Sequence, residues 1–446
     1  EIGVRLVGSE MCIRDSIYGI VDGLFITNII GDDAFTGINL IMPVVMIVGT
    51  IGTMFGSGGG ALISKFLGEG DKEKANRLLS TFSIFIFILT AIIGFILIIL
   101  IEPISYAIGA DESTIQYCVP YGRILLAFMP FYALQLAYQN LIIVAGKPHF
   151  GLIITIIAGL VNGLFDFLFI YVFNFGVQGA AFATILSQVF GAIIPLVYFF
   201  RKKTSSLIHF EKPILDFKDI GKAAYNGSSE MASNVSMSLV NMLYNIQLLQ
   251  IFGKGGVSAY GTIMYVGFIF IGTFFGFSMS VVPIMGYNLG AKRTDELHNV
   301  FKKSLIIITT FSLVLTMLAE ALSYPLAFIF FSKNQELLDL TTIAIRIYAL
   351  SYLLSGFNIF GSSMFTGLNN GFVSALISFS RTLIFQVVMI FIIPLIFGPY
   401  GIWAAMLFAE FFSLIVTLAS IIVNHKRYGY YLSLIHISEP TRRTPI

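Results

Sequence analysis

Apolar runs of about twenty residues recur twelve times along the chain, parted by short polar loops. A run of ~20 apolar residues coiled as a helix matches the ~30 Å hydrocarbon core of a bilayer. Within lipid only helices and closed barrels satisfy every backbone N–H and C=O group, and these runs are too long for the ~10-residue strands of a barrel. They lie near 17–30, 35–57, 79–101, 116–144, 150–173, 177–200, 223–251, 257–281, 303–330, 340–366, 372–397 and 400–423. Charged residues make up 11% of the 446 residues and hydrophobic ones 57%. Soluble domains carry roughly 25% charged residues, so this chain lacks the material for a polar shell. It reads as an all-α integral membrane protein.

The two ends break the pattern. EIGVRLVGSEMCIRDS (1–16) and LSLIHISEPTRRTPI (432–446) resemble translated adapter or vector read-through, and both are expected to be non-native tails. The run Ile17 to Ile30 has 14 residues, about 21 Å at 1.5 Å per residue, and is expected to be a truncated first helix. The longest polar interruption, RKKTSSLIHFEKPILDFKDIGK (201–222), divides the chain into lobes at 17–200 and 223–431. Lysines and arginines crowd the linker's side of the membrane, as in SKFLGEGDKEKANR (64–77), whereas the opposite loops hold only Lys254 and Lys333 beside several acids. Positive residues stay inside, which makes the linker and both termini cytoplasmic in a cytoplasmic membrane. The net charge of +2 gives no sign of nucleic acid, and two cysteines and five histidines form no disulfide framework or metal cluster.

An internal repeat shows at an offset of 222 residues. Gly31 overlies Gly253, Gly68 overlies Gly290, Pro103 overlies Pro325, Gly176 overlies Gly398 and Gly179 overlies Gly401. Six spans per repeat is an even number, so both halves share one orientation. The expectation is twelve transmembrane helices in two six-helix lobes related by a pseudo-two-fold axis along the membrane normal.

Ionisable residues within spans are expensive and face a partner or a water-filled cavity. Counting at ~1.5 Å per residue, Asp22 lies about 12 Å, and Asp166 and Thr184 each about 10 Å, from the outer helix ends. Asn162 sits one turn from Asp166 on the same face. Carboxylate, amide and hydroxyl oxygens from three helices thus fall in one slab, a donor set suited to Na⁺, and paired carboxylates also suit proton carriage. Packing alone is the ordinary role of a single such Asn or Thr; two acids at matched depth favour function. At the repeat offset Asp22 overlies Tyr244, Asp166 overlies Val388 and Thr184 overlies Met406, so the second lobe lacks this set. Arg381 and Glu410 lie at one level on consecutive spans and are expected to form a structural ion pair. Glu230, in NGSSEMASN (226–234), suits either substrate contact or structural hydrogen bonding. Met129, Tyr132, Tyr138, Met264, Tyr265 and Met279 are candidates for the wall of a cavity between lobes, since methionine and aromatic faces accept varied apolar or cationic ligands. With 44 phenylalanines in the chain, lipid contact or packing is the ordinary fate of any one aromatic. GSGGG (56–60) lacks the Lys-Ser/Thr ending of a phosphate loop, and no HExxH or GxSxG motif is present, so neither ATP-driven transport nor a familiar hydrolase site is supported.

VDGLFI in the first span, SKFLGEGDKEKA after the second, IVAGKPH between the fourth and fifth, and VNGLFDFLFI with GVQGAAFAT in the fifth and sixth resemble the multidrug and toxic compound extrusion (MATE) family, in its bacterial branch. The resemblance spans roughly 17–430. It implies a secondary transporter, not an enzyme, that exports drugs and organic cations by alternating access in exchange for Na⁺ or H⁺, as a monomer needing no cofactor beyond the coupling ion. It also implies that Asp22, Asn162, Asp166 and Thr184 hold that ion. Some members carry a second acidic site, with a Glu on the seventh helix and an Asp on the tenth. Glu230 answers to the first, but 340–366 contains no Asp or Glu, so coupling is expected to rest on the first lobe. The alternative is a flippase for lipid-linked saccharides of the same superfamily, against which twelve spans and an acidic first lobe argue. A channel fits the duplication less well, and an intramembrane enzyme least.

Overall fold

A computed structural model describes residue 30 and residues 32–201, 207–332 and 334–430. Most of the first predicted span, Asp22 included, and both terminal segments lie outside the described residues. What is described is helical nearly throughout: α1 (Asp32–Met54), α2 (Gly60–Glu69), α3 (Lys72–Ala107), α4 (Ile115–Ala127), α5 (Met129–Val144), α6 (Pro148–Asp166), α7 (Gly176–Phe200), α8 (Phe217–Gly253), α9 (Gly255–Gly290), α10 (Thr294–Phe331), α11 (Gln335–Ala349), α12 (Tyr352–Gly367), α13 (Gly371–Phe379), α14 (Phe385–Phe397) and α15 (Gly401–Tyr428). Three π-helical turns interrupt the series. Phe55–Gly59 joins α1 to α2, Phe167–Val172 extends α6, and Ser380–Ile384 joins α13 to α14.

Among the described residues nine helices are long and apolar enough to cross a bilayer, and two bent pairs bring the crossings to eleven. The predicted span 116–144 is one such pair, α4 and α5 meeting at 61°; 340–366 is the other, α11 and α12 meeting at 46°. Pro130 opens α5, where its missing N–H and its ring clash with the preceding turn rule out a straight continuation. Between α3 and α4, the hydroxyl and N–H groups of Thr114 and Ser113 hold the Asp111 carboxyl down to about 2, which keeps this loop turn ionised. The helices also run past the predicted spans. Asp71 caps α3 by accepting the Lys74 N–H at 3.0 Å, so the Lys/Glu-rich stretch continues the coil beyond lipid.

The duplication is written in the backbone. The bends fall at Phe128 and at Leu350–Ser351, the offset of 222. Gly70 and Lys292, again 222 apart, have φ of 86° and 55°; Gly176 and Gly398 have 57° and 76°. Buried apolar residues from Ala34 to Ala223 form one cluster, and those from Val240 to Tyr430 form two more. Large apolar side chains such as Leu395 and Val423, 85% and 78% exposed, cover the outer faces, as lipid contact requires.

The lobes meet through α1 and α2, with the π turn between them, against α8 and α9. Glycines make this seam. A Cβ on Gly227 would lie 1.9 Å from the Met54 carbonyl oxygen, one on Gly290 1.9 Å from that of Lys65, and one on Gly68 2.0 Å from that of Tyr287. Gly68 and Gly290 are repeat partners, so each presses on the other's helix. The glycine-rich stretch GSGGG keeps its helical course and serves close approach, the use small residues have between membrane helices. At the linker end, Asp219 joins the lobes, with Lys74 Nζ at 3.0 Å and Lys222 Nζ at 2.8 Å. The linker is stitched to α3: Asn76 Oδ1 accepts His209 N–H at 2.9 Å, Ser80 Oγ accepts Glu211 N–H at 3.0 Å, and Thr81 Oγ1 accepts Ile214 N–H at 3.0 Å.

Overpacking a tight contact costs about 1–3 kcal/mol. Gly290→Ala is therefore expected to lower the melting temperature of the detergent-purified protein by several degrees. Gly163→Ala, where an added Cβ meets nothing within 4 Å, should leave it unchanged or raised. Equal melting of the two variants would refute the seam's role.

Candidate functional site

Asp166 is the last residue of α6 and is fully buried; Asn162, one turn earlier, is 9% exposed. The chain continues directly into the π turn Phe167–Val172, which is tied to the start of α7. Phe169 C=O accepts the Phe175 N–H at 2.9 Å, and a Cβ on Gly179 would sit 3.0 Å from Phe169. Thr184 lies on α7, which packs along α6; its hydroxyl oxygen is shielded and has no hydrogen-bond partner among the described residues. The structure thus puts Asn162 and Asp166 on one buried face and Thr184 on the adjoining helix. Asp22 lies outside the described residues. Carboxylate, amide and hydroxyl oxygens of this kind suit a hard monovalent cation or a proton. No group of three or more His, Cys, Asp and Glu able to hold a metal exists among the described residues.

The second lobe is built differently. A cavity of about 360 Å³ opens there, within the ~300–1,000 Å³ range of drug-sized ligand pockets. Glu230, Met264 and Met279 line it. Among the described residues the first lobe contributes Thr53, Ser57, Gln139, Asn140 and Ile143. Three of the expected wall residues lie elsewhere: Met129 and Tyr138 are fully buried in first-lobe packing, and Tyr132 is pressed against Gly49. Tyr138 instead packs its ring 5.6 Å from that of Phe199. The Tyr265 side chain lies outside what is described.

Sequence reasoning missed the principal aromatic wall. Tyr244 and Tyr260 stack at 4.9 Å, and Tyr260 donates its hydroxyl to Asn241 Oδ1 at 2.9 Å. The signal was the repeat itself. Tyr244 and Met406, which overlie Asp22 and Thr184, both line the cavity. Val388, which overlies Asp166, does not, and is 39% exposed. The cause is the displaced π turn. Ser380–Ile384 precedes Val388, whereas Phe167–Val172 follows Asp166; one inserted residue rotates the next helical face by about 100°.

Arg381 sits in that π turn and lines the cavity. Its Nε donates to Glu410 Oε1 at 2.8 Å and Oε2 at 3.1 Å. Glu410 is fully buried and also accepts Asn358 Nδ2 at 2.7 Å, while Thr417 Oγ1 donates to Asn358 Oδ1 at 2.9 Å. Glu230, 8% exposed, sits one turn before Asn234, whose Nδ2 donates to the Glu230 carbonyl at 2.9 Å.

Removing one partner of a buried pair leaves an uncompensated charge and costs about 3–5 kcal/mol, whereas replacing both by apolar residues is often neutral. Glu410→Gln is expected to melt well below the parent protein in detergent and Arg381→Met/Glu410→Met close to it. A milder Glu410→Gln would show that the pair holds nothing together.

Comparison with known proteins places these features. The MatE family model matches residues 10–168 and 231–392, well over half of the chain. Multidrug export protein MepA of Staphylococcus saprophyticus is 24% identical over 413 residues, covering 91% of this chain and 88% of that protein. MepA of Staphylococcus aureus strain MW2 is 24% identical over 402 residues, covering 88% and 86%. Among solved structures, a point mutant of the Vibrio cholerae MATE transporter VcmN superposes with a TM-score of 0.89 at 20% identity, over 97% of this chain and 98% of that one. An outward-facing MATE multidrug resistance transporter gives 0.87 at 21% identity over 96% and 95%. At such identities these structures establish a shared fold.

Proposed function

The chain belongs to the MatE family, a family of membrane transporters rather than enzymes, and from that premise we propose that it is a secondary multidrug exporter driven by Na⁺ or H⁺ antiport. The observation that carries the reading is the fully buried Asp166, with Asn162 on its face and a π turn beginning at the next residue. A carboxylate in this setting is costly unless neutralised. Arrival of the cation at Asp22 and Asp166, with Asn162 and Thr184 as further oxygen donors, removes that cost and lets α6 and α7 repack about the π turn. The π-helical form holds one extra residue, so a local shift to α-helix re-aims everything beyond it. The two lobes then rock about the glycine seam, and organic compounds held in the second-lobe cavity are released outward. The relatives named as multidrug export proteins support small-molecule drugs, often cationic, as cargo. The lysine-rich loops on the linker side support a cytoplasmic membrane setting with linker and termini inside. The same reading has the protein working as a monomer.

Counterflow of the ethyl ester of rhodamine B, a fixed organic cation, in proteoliposomes with Na⁺ and pH gradients imposed separately identifies the coupling ion. Asp166→Asn is expected to insert and bind dye yet lose gradient-driven efflux at least about tenfold. Efflux at the parental rate in that variant would overturn first-lobe coupling.

A further inference from the structure

The ion pair of the second lobe is polarised. Arg381 lines the cavity while Glu410 stands behind it, away from the wall. Of the guanidinium's five N–H donors, only the one on Nε is used, turned back to both carboxylate oxygens. The Nη groups have no hydrogen-bond partner among the described residues, although Arg381 is only 6% exposed. Glu410 is locked by Asn358, and Asn358 by Thr417, so the pair has little freedom to turn. A guanidinium fixed in this way presents its remaining fork to the cavity, the geometry that binds carboxylates bidentately. A purely structural pair would gain more by spending those donors on Glu410.

We infer that Arg381 is a specificity-determining residue, which docks the carboxylate of aromatic amphiphiles that the cavity takes up. This rests on the export reading above. The stacked Tyr244 and Tyr260, with Met264, Met279 and Met406, supply the apolar wall for the body of such a ligand. Glu230 lines the same cavity and meets a cationic group on the same molecule. Glu410 sets the direction of Arg381 and does not itself touch the ligand.

Rhodamine B, which carries a free carboxylate, and its ethyl ester, which does not, form a matched pair of fluorescent probes. Binding of each to the purified full-length protein is measured by fluorescence anisotropy. Arg381→Lys keeps a cation for Glu410 and removes the outward fork. The acid is then expected to bind about tenfold more weakly while the ester changes less than twofold. Arg381→Met/Glu410→Met, neutral as a pair, should show the same contrast. The inference is overturned if the parent protein binds the ester but not the acid, if the variants lose both probes equally, or if they lose neither. Gradient-driven efflux of the ester tests the export reading separately. Loss of that efflux with the acid-to-ester contrast intact removes the exporter and leaves Arg381 as a carboxylate site.

Discussion

A charge held in a medium that cannot solvate it must be answered by the protein around it, and the buried ionisable groups of this molecule are answered in two ways. In the second lobe Glu410 meets Arg381 and a relay of Asn358 and Thr417. In the first lobe Asp166 lies fully buried at the end of α6, on a face it shares with an amide. The first arrangement is an ion pair fixed by its neighbours, with the rest of the guanidinium turned to the cavity. On the export reading, the second is where a cation joins a buried carboxylate. On that reading, one solution in each lobe separates the part that moves from the part that holds a ligand.

Duplication supplied two copies of a six-helix unit, and the backbone still keeps count. Bends at Phe128 and Leu350–Ser351, and left-handed residues at Gly176 and Gly398, fall at the repeat offset. The two lobes differ in where their π turns fall. A single extra residue, placed after Asp166 in one lobe and before Val388 in the other, throws the matching faces out of phase. Where the first lobe has Asp22 and Thr184, the second has Tyr244 and Met406 around a cavity. A change of helical phase thus accompanies a change in what the matching positions line, without a change of topology.

Much of this was legible in the chain because lipid enforces simple rules. Span length, loop charge and the even helix count led to the architecture, and counting along helices put Arg381 and Glu410 at one depth. The bends were not legible: Pro130 marks one, but nothing comparable marks Leu350–Ser351. The cavity wall was misjudged because packing and ligand-facing aromatics have the same composition. Met129 and Tyr138 are core residues, while Tyr244 and Tyr260 line the space. Register across a π turn cannot be counted at 3.6 residues per turn, so Val388 falls out of place.

The glycine seam has a consequence for how such a protein diversifies. Its closest approaches run from one main chain to another, at Gly227 against Met54 and at Gly290 against Lys65, with no side chain interlocked between them. A main-chain contact has no rotamers to reset when the lobes move as the export reading requires, although Thr53 and Ser57 of the same segment also line the cavity. Glu230 lies one turn from Gly227, so mutations that widen or narrow the range of compounds accepted bear least on the seam where they fall further off, at Tyr244, Tyr260 and Met406. The seam glycines tolerate almost no change whatever the cargo, which leaves those distant wall positions as the ones free to vary.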